Sequence, residues 1–176
     1  VNFVQRVPLF PIDYRRARFP PRGAAGPVPI LALEELAAGK LTALLTRAAP
    51  RDAFDGSQLL ELVPDLTERP GFRIAFVVQV ASSRMDLRDK DPDRVGVEEG
   101  EVRGELLPLL RAEASAAGRA AAPLARDLNR RCREAARRLL AWRAQEREFL
   151  DRLLGEGEIL PHLLTGDPEL QERIAA

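Results

Sequence analysis

Histidine and cysteine each occur once in the 176 residues, as His162 and Cys132. One thiol cannot close an intramolecular disulfide, and one thiol with one imidazole cannot build a Cys/His zinc cluster. Both scarcities fit a reducing cytoplasm, which is the expected location. Lysine is nearly missing as well: Lys40 and Lys90 are the whole complement, and arginine supplies the rest of the 27 basic residues. Such an alanine- and arginine-rich usage matches a GC-rich coding bias, so the arginine count by itself is no sign of RNA binding. Acidic residues also number 27, and the resulting net charge of zero argues against a generally basic nucleic-acid coat while leaving a local patch open. No apolar run approaches the roughly 20 residues that span a bilayer, and the first residues lack a charged-then-apolar signal pattern. A soluble chain with no membrane partner is expected. Its 45% hydrophobic content is enough for a core in one domain or a compact pair.

Against that background the stretch Leu33 to Val63 stands out, because it reads as two helices joined by a turn at Ala48, Ala49 and Pro50. At about 100° per residue, Leu33, Leu36, Ala37, Leu41 and Leu44 form one apolar stripe, and Lys40 projects from its middle. Pro50 suits a first helical turn, and Asp52 sets a negative charge near the positive end of the second helix. Leu59 and Leu62 mark the buried face of that helix, and Asp55 shares it. Packed as an antiparallel hairpin, the two helices aim Lys40 and Asp55 into one shared space. An unpaired buried charge costs several kcal/mol, so two readings stand side by side. Either the groups form a structural ion pair, with the lysine stem packed and its ammonium reaching water, or the space is an open polar cleft facing a phosphate-bearing substrate.

The remaining chain is read from its breakers and periods. Val1 to Leu9 favours strand, and Pro11 to Pro27 reads as a strand edge plus a loop made locally basic by Arg15, Arg16, Arg18 and Arg22. Val28 to Leu31 is expected as a short buried strand feeding the Lys40 helix. Pro64 and Arg69-Pro70-Gly71 suggest a division into residues 1–63 and 64–176. The apolar run Gly71 to Ser82 suits either a strand or a buried helix on composition. Asp89, Asp91 and Asp93 alternate around Pro92 and read as a turn, not as a metal pair. A helix is expected over Glu98 to Arg111 with a kink or break at Pro108, while Ala114 to Ala122 suits helix or linker. Leu124, Leu128, Cys132, Ala135, Leu139, Trp142, Glu146, Phe149 and Leu153 fall at steps of three or four, predicting one long helix ended by Gly155 and Gly157. Cys132 and Trp142 then belong to its core seam, and His162 stands in a short segment without partner ligands. A helical turn is expected over Ile159 to Leu164, and Asp167 with Pro168 opens a last helix.

The run PVPILALEELAAGKLTALLTRAAPRDAFD resembles the strand, helix and helix segment of the AbiEii/AbiGii toxin family of nucleotidyltransferases. That family places a lysine in an AGKL context ahead of an arginine and an R-D-x-x-D element, matched here by Lys40, by Arg47 or Arg51, and by Asp52 and Asp55. The likeness extends through NFVQRVPLFP, DPDRVGVEEGEVRGELLPLL and FLDRLLGEGEILPHLLTGDPELQERIAA. It turns Gly71 to Ser82 toward helix. It implies an α+β, predominantly α fold, with a partial nucleotidyltransferase core of a few strands and two helices before a helical C-terminal region. It further implies a bacterial toxin of an abortive-infection pair, transferring nucleotides from an NTP to RNA such as tRNA and opposed by a separate antitoxin. Lys40 and Asp55 would be catalytic: the lysine neutralises triphosphate, and Asp55 orients it or assists the incoming hydroxyl. Arg47, Arg51 and Asp52 would bind substrate. Family members hold Mg2+ through a G-S and D-x-D element that lies upstream of everything in this sequence, so the expectation is roughly the C-terminal two thirds of such an enzyme and no transfer by this chain alone. Gly56 also departs from the family, standing where an apolar residue is usual. A non-catalytic nucleotide- or RNA-binding remnant and a helical interaction module remain the alternative readings.

Overall fold

The computed structural model describes residues 7–16, 26–110 and 120–176. The fold is α+β and predominantly α, as expected. Its sheet is one antiparallel ribbon: β1 (Asp13–Arg15) pairs with β2 (Val28–Ile30) in the register Asp13 to Ile30, Tyr14 to Pro29 and Arg15 to Val28. The expected buried strand at Val28–Leu31 is therefore corrected to an exposed one, with Val28 at 38% and Tyr14 at 64%. Among the described residues no third strand joins the ribbon, and Pro29 has no N–H to offer one. Residues 1–6 and 17–25, which carry most of the expected first strand and the basic loop, lie outside the described residues. Val7 to Leu9 are not in a strand.

Helices α1 (Leu33–Thr46) and α2 (Pro50–Leu62) form the expected hairpin. Ala37, Leu41 and Leu44 are buried as the stripe predicts, but Leu33 and Leu36 are 41% and 44% exposed. The expected face of α2 is corrected more deeply. Ala53, Gly56 and Ser57 are its buried residues, whereas Leu59 is only partly covered and Leu62 is 78% exposed. Close approach explains the choice of small residues: a Cβ on Gly56 would lie 3.2 Å from Leu44 Cδ2 and 3.3 Å from Leu41 Cδ2. Glycine thus gives up helix propensity so that two helices can touch. The turn between them passes through Ala48 at φ 50°, a left-handed conformation that costs a non-glycine residue about 1–3 kcal/mol.

Gly71 to Ser82 falls in a helix, α3 (Pro70–Ala81), started by proline and buried on most sides through Phe72, Ala75, Phe76, Val77 and Val80. Burial all round is why its sequence shows no clean helical period. The helix expected over Glu98 to Arg111 is replaced by a mixed segment. A single turn, α4 (Glu99–Glu101), runs into a widened turn at Val102–Leu106 and a tight one at Leu107–Leu109. Pro108 cannot donate to the carbonyl four residues back, so a regular helix cannot continue through it. Residues 111–119, which include most of the alanine-rich stretch, are outside the described set.

The single long helix is also corrected. α5 (Ala121–Leu139) buries Leu124, Leu128, Cys132, Ala135 and Leu139, and the chain then turns before α6 (Ala144–Asp151). The break preserves the phase of the apolar residues, with Phe149 buried and Trp142 partly covered, so periodicity cannot reveal it. What holds it is specific: Arg73 Nη1 donates to the carbonyl of Leu139 at 3.0 Å, and the Arg143 N–H donates to Glu146 Oε2 at 2.9 Å. Gly157, at φ 74°, closes the turn that follows α6. Pro161–Leu163 forms the expected helical turn, and α7 (Pro168–Ala175) is capped by Asp167, which accepts from the Glu169 N–H at 3.0 Å. One hydrophobic cluster unites buried residues of α1, α3, α5, α6 and α7. No described helix is long and apolar enough to cross a membrane.

Candidate functional site

One face of α1 carries Leu36, Lys40 and Ala43, Arg47 at its C-cap continues the row at steps of four, three and four, and all four line an open cleft of about 950 Å³. This row lies beside the buried stripe, which moves Lys40 from the middle of the apolar face to its edge. Arg51, Asp52 and Asp55 reach the same cleft from the start of α2. Val7, Pro8, Leu31 and Leu109 give the cleft apolar lining, and Gln79 and Glu105 add polar groups.

Lys40 Nζ donates to Asp55 Oδ2 at 2.6 Å, with the side chains 54% and 34% exposed. The two sequence readings therefore converge: the charges are paired, and the pair sits at the lip of an open cleft. A second bridge repeats the pattern, Arg47 Nη2 to Asp52 Oδ1 at 3.0 Å. Arg51 is exposed and has no carboxylate partner among the described residues. All five predicted site residues are thus brought to one cleft.

The same wall contains the start of α2. Its N-cap, Ala49, has no side-chain oxygen, and no side chain caps the helix, although Ala49, Arg51 and Asp52 line the cleft. The N–H groups left uncapped by a side chain and the positive helix end together favour an anion here. Asp52 opposes that preference through its own charge, which Arg47 offsets.

Sequence reasoning missed Glu35. It is only 6% exposed, and its carboxylate accepts from the Leu9 N–H at 2.9 Å and the Phe10 N–H at 3.2 Å. By holding that segment against α1 it fixes the apolar wall formed by Val7 and Pro8. The available signal was an acidic residue one step from the alanines of the buried face. Arg73 and Glu146 were missed too, as a buried pair between α3 and α6.

Other candidates resolve as structural. Cys132 is buried against Ser57, and burial pushes its thiol up to about 11, which leaves it unreactive near neutral pH. Asp91 caps the turn Pro92–Arg94, while Asp89 and Asp93 bind Arg147 and Arg137. His162 is exposed in its short turn. Among the described residues no group of three or more His, Cys, Asp or Glu is placed to hold a metal. Asp52 and Asp55, the acids nearest the cations, already hold Arg47 and Lys40. The described residues consequently do not fit Mg2+, whose ligands the resemblance assigns to a different element.

Fold and cleft together define a predominantly helical protein with a cation-bearing helical hairpin at an open site. The chain belongs to the nucleotidyl transferase AbiEii toxin family of type IV toxin-antitoxin systems, whose family model matches residues 1–173. No curated protein and no solved structure matches it.

Proposed function

We propose that the cleft is the triphosphate-binding part of a nucleotidyltransferase toxin that moves nucleotides from an NTP to an RNA acceptor such as tRNA. The carrying observation is the half-exposed Lys40–Asp55 pair on the lip of a cleft that Arg47 and Arg51 also border. An incoming triphosphate competes with Asp55 and Asp52 for the two paired cations and meets Arg51 directly. Charge-assisted contacts of this kind, with the open end of α2 behind them, suit a polyphosphate. Asp55 holds the lysine extended until substrate arrives. The apolar wall receives the less polar part of the nucleotide. The family reading adds a cytoplasmic setting, a separate antitoxin and Mg2+ as the ion of transfer.

Binding and transfer separate cleanly in experiment. Titration of the chain with an NTP is expected to show binding that weakens at least about tenfold, or 1.4 kcal/mol, in Lys40→Ala. Magnesium-dependent incorporation of labelled nucleotide into RNA is expected to be absent, because the cleft carboxylates Asp52 and Asp55 are engaged by Arg47 and Lys40. Incorporation that Lys40→Ala abolishes would overturn this second expectation. A rival reading draws on the fact that Lys40 and Arg47 already have carboxylate partners: the hairpin would then be an ion-paired interaction module. Unchanged NTP affinity in both Lys40→Ala and Asp55→Ala would favour that module.

A further inference from the structure

We propose that the outward stripe of α5, formed by Arg126, Arg130, Arg133 and Arg137, is the track that holds the phosphate backbone of the acceptor RNA; this rests on the nucleotidyl-transfer reading of the cleft. The four residues follow at steps of four, three and four, so they recur once per turn and extend over about 16 Å of helix. All four are exposed, and they lie opposite the buried residues Leu124, Leu128, Cys132 and Leu139. The two acids of α5, Asp127 and Glu134, stand on the adjoining row and leave the stripe itself uniformly basic.

Placement carries this inference, where composition cannot. Several helix arginines elsewhere are neutralised within their own helix or turn, as in Arg147 with Asp151, Arg152 with Glu156 and Arg173 with Glu169. α5 instead gathers six arginines against two carboxylates in a chain whose total charge is zero. Arg126 and Arg133 have no carboxylate within bridging distance among the described residues; Arg133 Nε donates only to the Val95 carbonyl, at 3.4 Å. Arg130 holds Asp127 at 2.8 Å and Glu134 at 3.8 Å, and Arg137 holds Asp93, all of these pairs solvent-exposed and weak enough to exchange for phosphate. Guanidinium forks suit phosphate oxygens, and a row of them reads backbone without reading bases. The stripe has no apolar residue to insert into a lipid surface, because the apolar face of α5 is spent on the core. α5 also packs on α2 and on the turn that bears Glu105, with Arg131 bridging to Glu61 at 2.9 Å. The track is therefore fixed relative to two walls of the cleft.

The test is fluorescence anisotropy of the full chain with labelled transfer RNA between 50 and 200 mM salt, roughly the range over which counterion release is large. Replacing all four arginines by glutamine is expected to weaken binding about tenfold or more at low salt. It should also lower the logarithmic salt slope by about 3, from roughly 0.7–0.9 per lost phosphate contact. The all-lysine version should keep most of the slope. Should the fourfold glutamine chain fail to fold by circular dichroism, Arg126→Gln with Arg133→Gln breaks no ion pair and should lower the slope by roughly 1.5. Unchanged affinity and slope in the variants, or duplex DNA bound more tightly than RNA, would overturn the proposal. NTP titration distinguishes the two readings: the stripe variants should bind NTP as the wild type does, whereas Lys40→Ala should lose NTP and keep RNA. A stripe effect in a chain that binds no NTP would sink the cleft assignment while leaving the track in place.

Discussion

Two of the ion pairs that tie helices together in this protein have opposite surroundings. Lys40 and Asp55 join α1 to α2 with side chains 54% and 34% exposed, whereas Arg73 and Glu146 join α3 to α6 at 5% and 7%. The interior pair is fully engaged: Arg73 also donates to Leu139, Glu146 accepts from Arg143, and the guanidinium lies 5.7 and 5.8 Å from the Phe76 and Trp142 ring centres. Phe76 stacks on Trp142 at 5.7 Å, which shuts the pair off from water. Charges held that way cannot trade partners with a ligand. The rim pair can, because water already screens it and a cleft lies open beside it. The same chemistry therefore serves architecture in one place and substrate contact in the other.

The sharpest way to break this contrast is Glu146→Ala. Stranding Arg73 without its carboxylate should cost about 3–5 kcal/mol in urea unfolding, while Arg73→Met with Glu146→Leu should recover most of it. A loss below about 1 kcal/mol would erase the distinction between the pairs. Next comes Gly56→Ala, inside the α1–α2 seam. Helix propensity alone predicts a gain of about 0.5–1 kcal/mol, but the new methyl would press on Leu41 and Leu44. A net loss of about 1 kcal/mol is expected, and the sign of the change in the same assay decides. In the turn between α1 and α2, Ala48→Gly should stabilise by about 1 kcal/mol, because its φ of 50° suits glycine; calorimetry should show a higher Tm. The smallest effect belongs to Lys40→Ala, expected to move stability by no more than about 1 kcal/mol while NTP affinity falls. A larger stability loss would make the rim pair architectural after all.

How much could be read beforehand depended on the range of the interaction. The hairpin, the cap at Asp167 and the buried Cys132 all follow from local patterns, and so does the meeting of Lys40 with Asp55, whereas the helix at Pro70–Ala81 was legible only through the family likeness, because burial on most sides erases its period. The turn at Leu140–Arg143 did not, since no glycine or proline marks it and the apolar phase runs on across it. Its cause is Arg73, 66 residues away from the Leu139 carbonyl that it caps. Leu62 likewise looked like core and is exposed, because Gly56 lets α2 lie flat on α1 through small residues. The partners of Glu35 and Glu146 were not legible either, although both stood at or beside apolar faces, since a buried acid is tolerable only with donors supplied by distant segments.

By itself the sequence determined the class of fold, the family likeness and the residues that meet at the cleft, because helix period, capping residues and the Lys40 to Asp55 spacing act over a few turns. Only the tertiary structure decided that the pair stands in water at an open lip, that α5 stops short of α6, and that one row of arginines on α5 faces outward without acids among it. Those outcomes depend on solvent exposure and on partners far apart in the chain, and no local pattern encodes either.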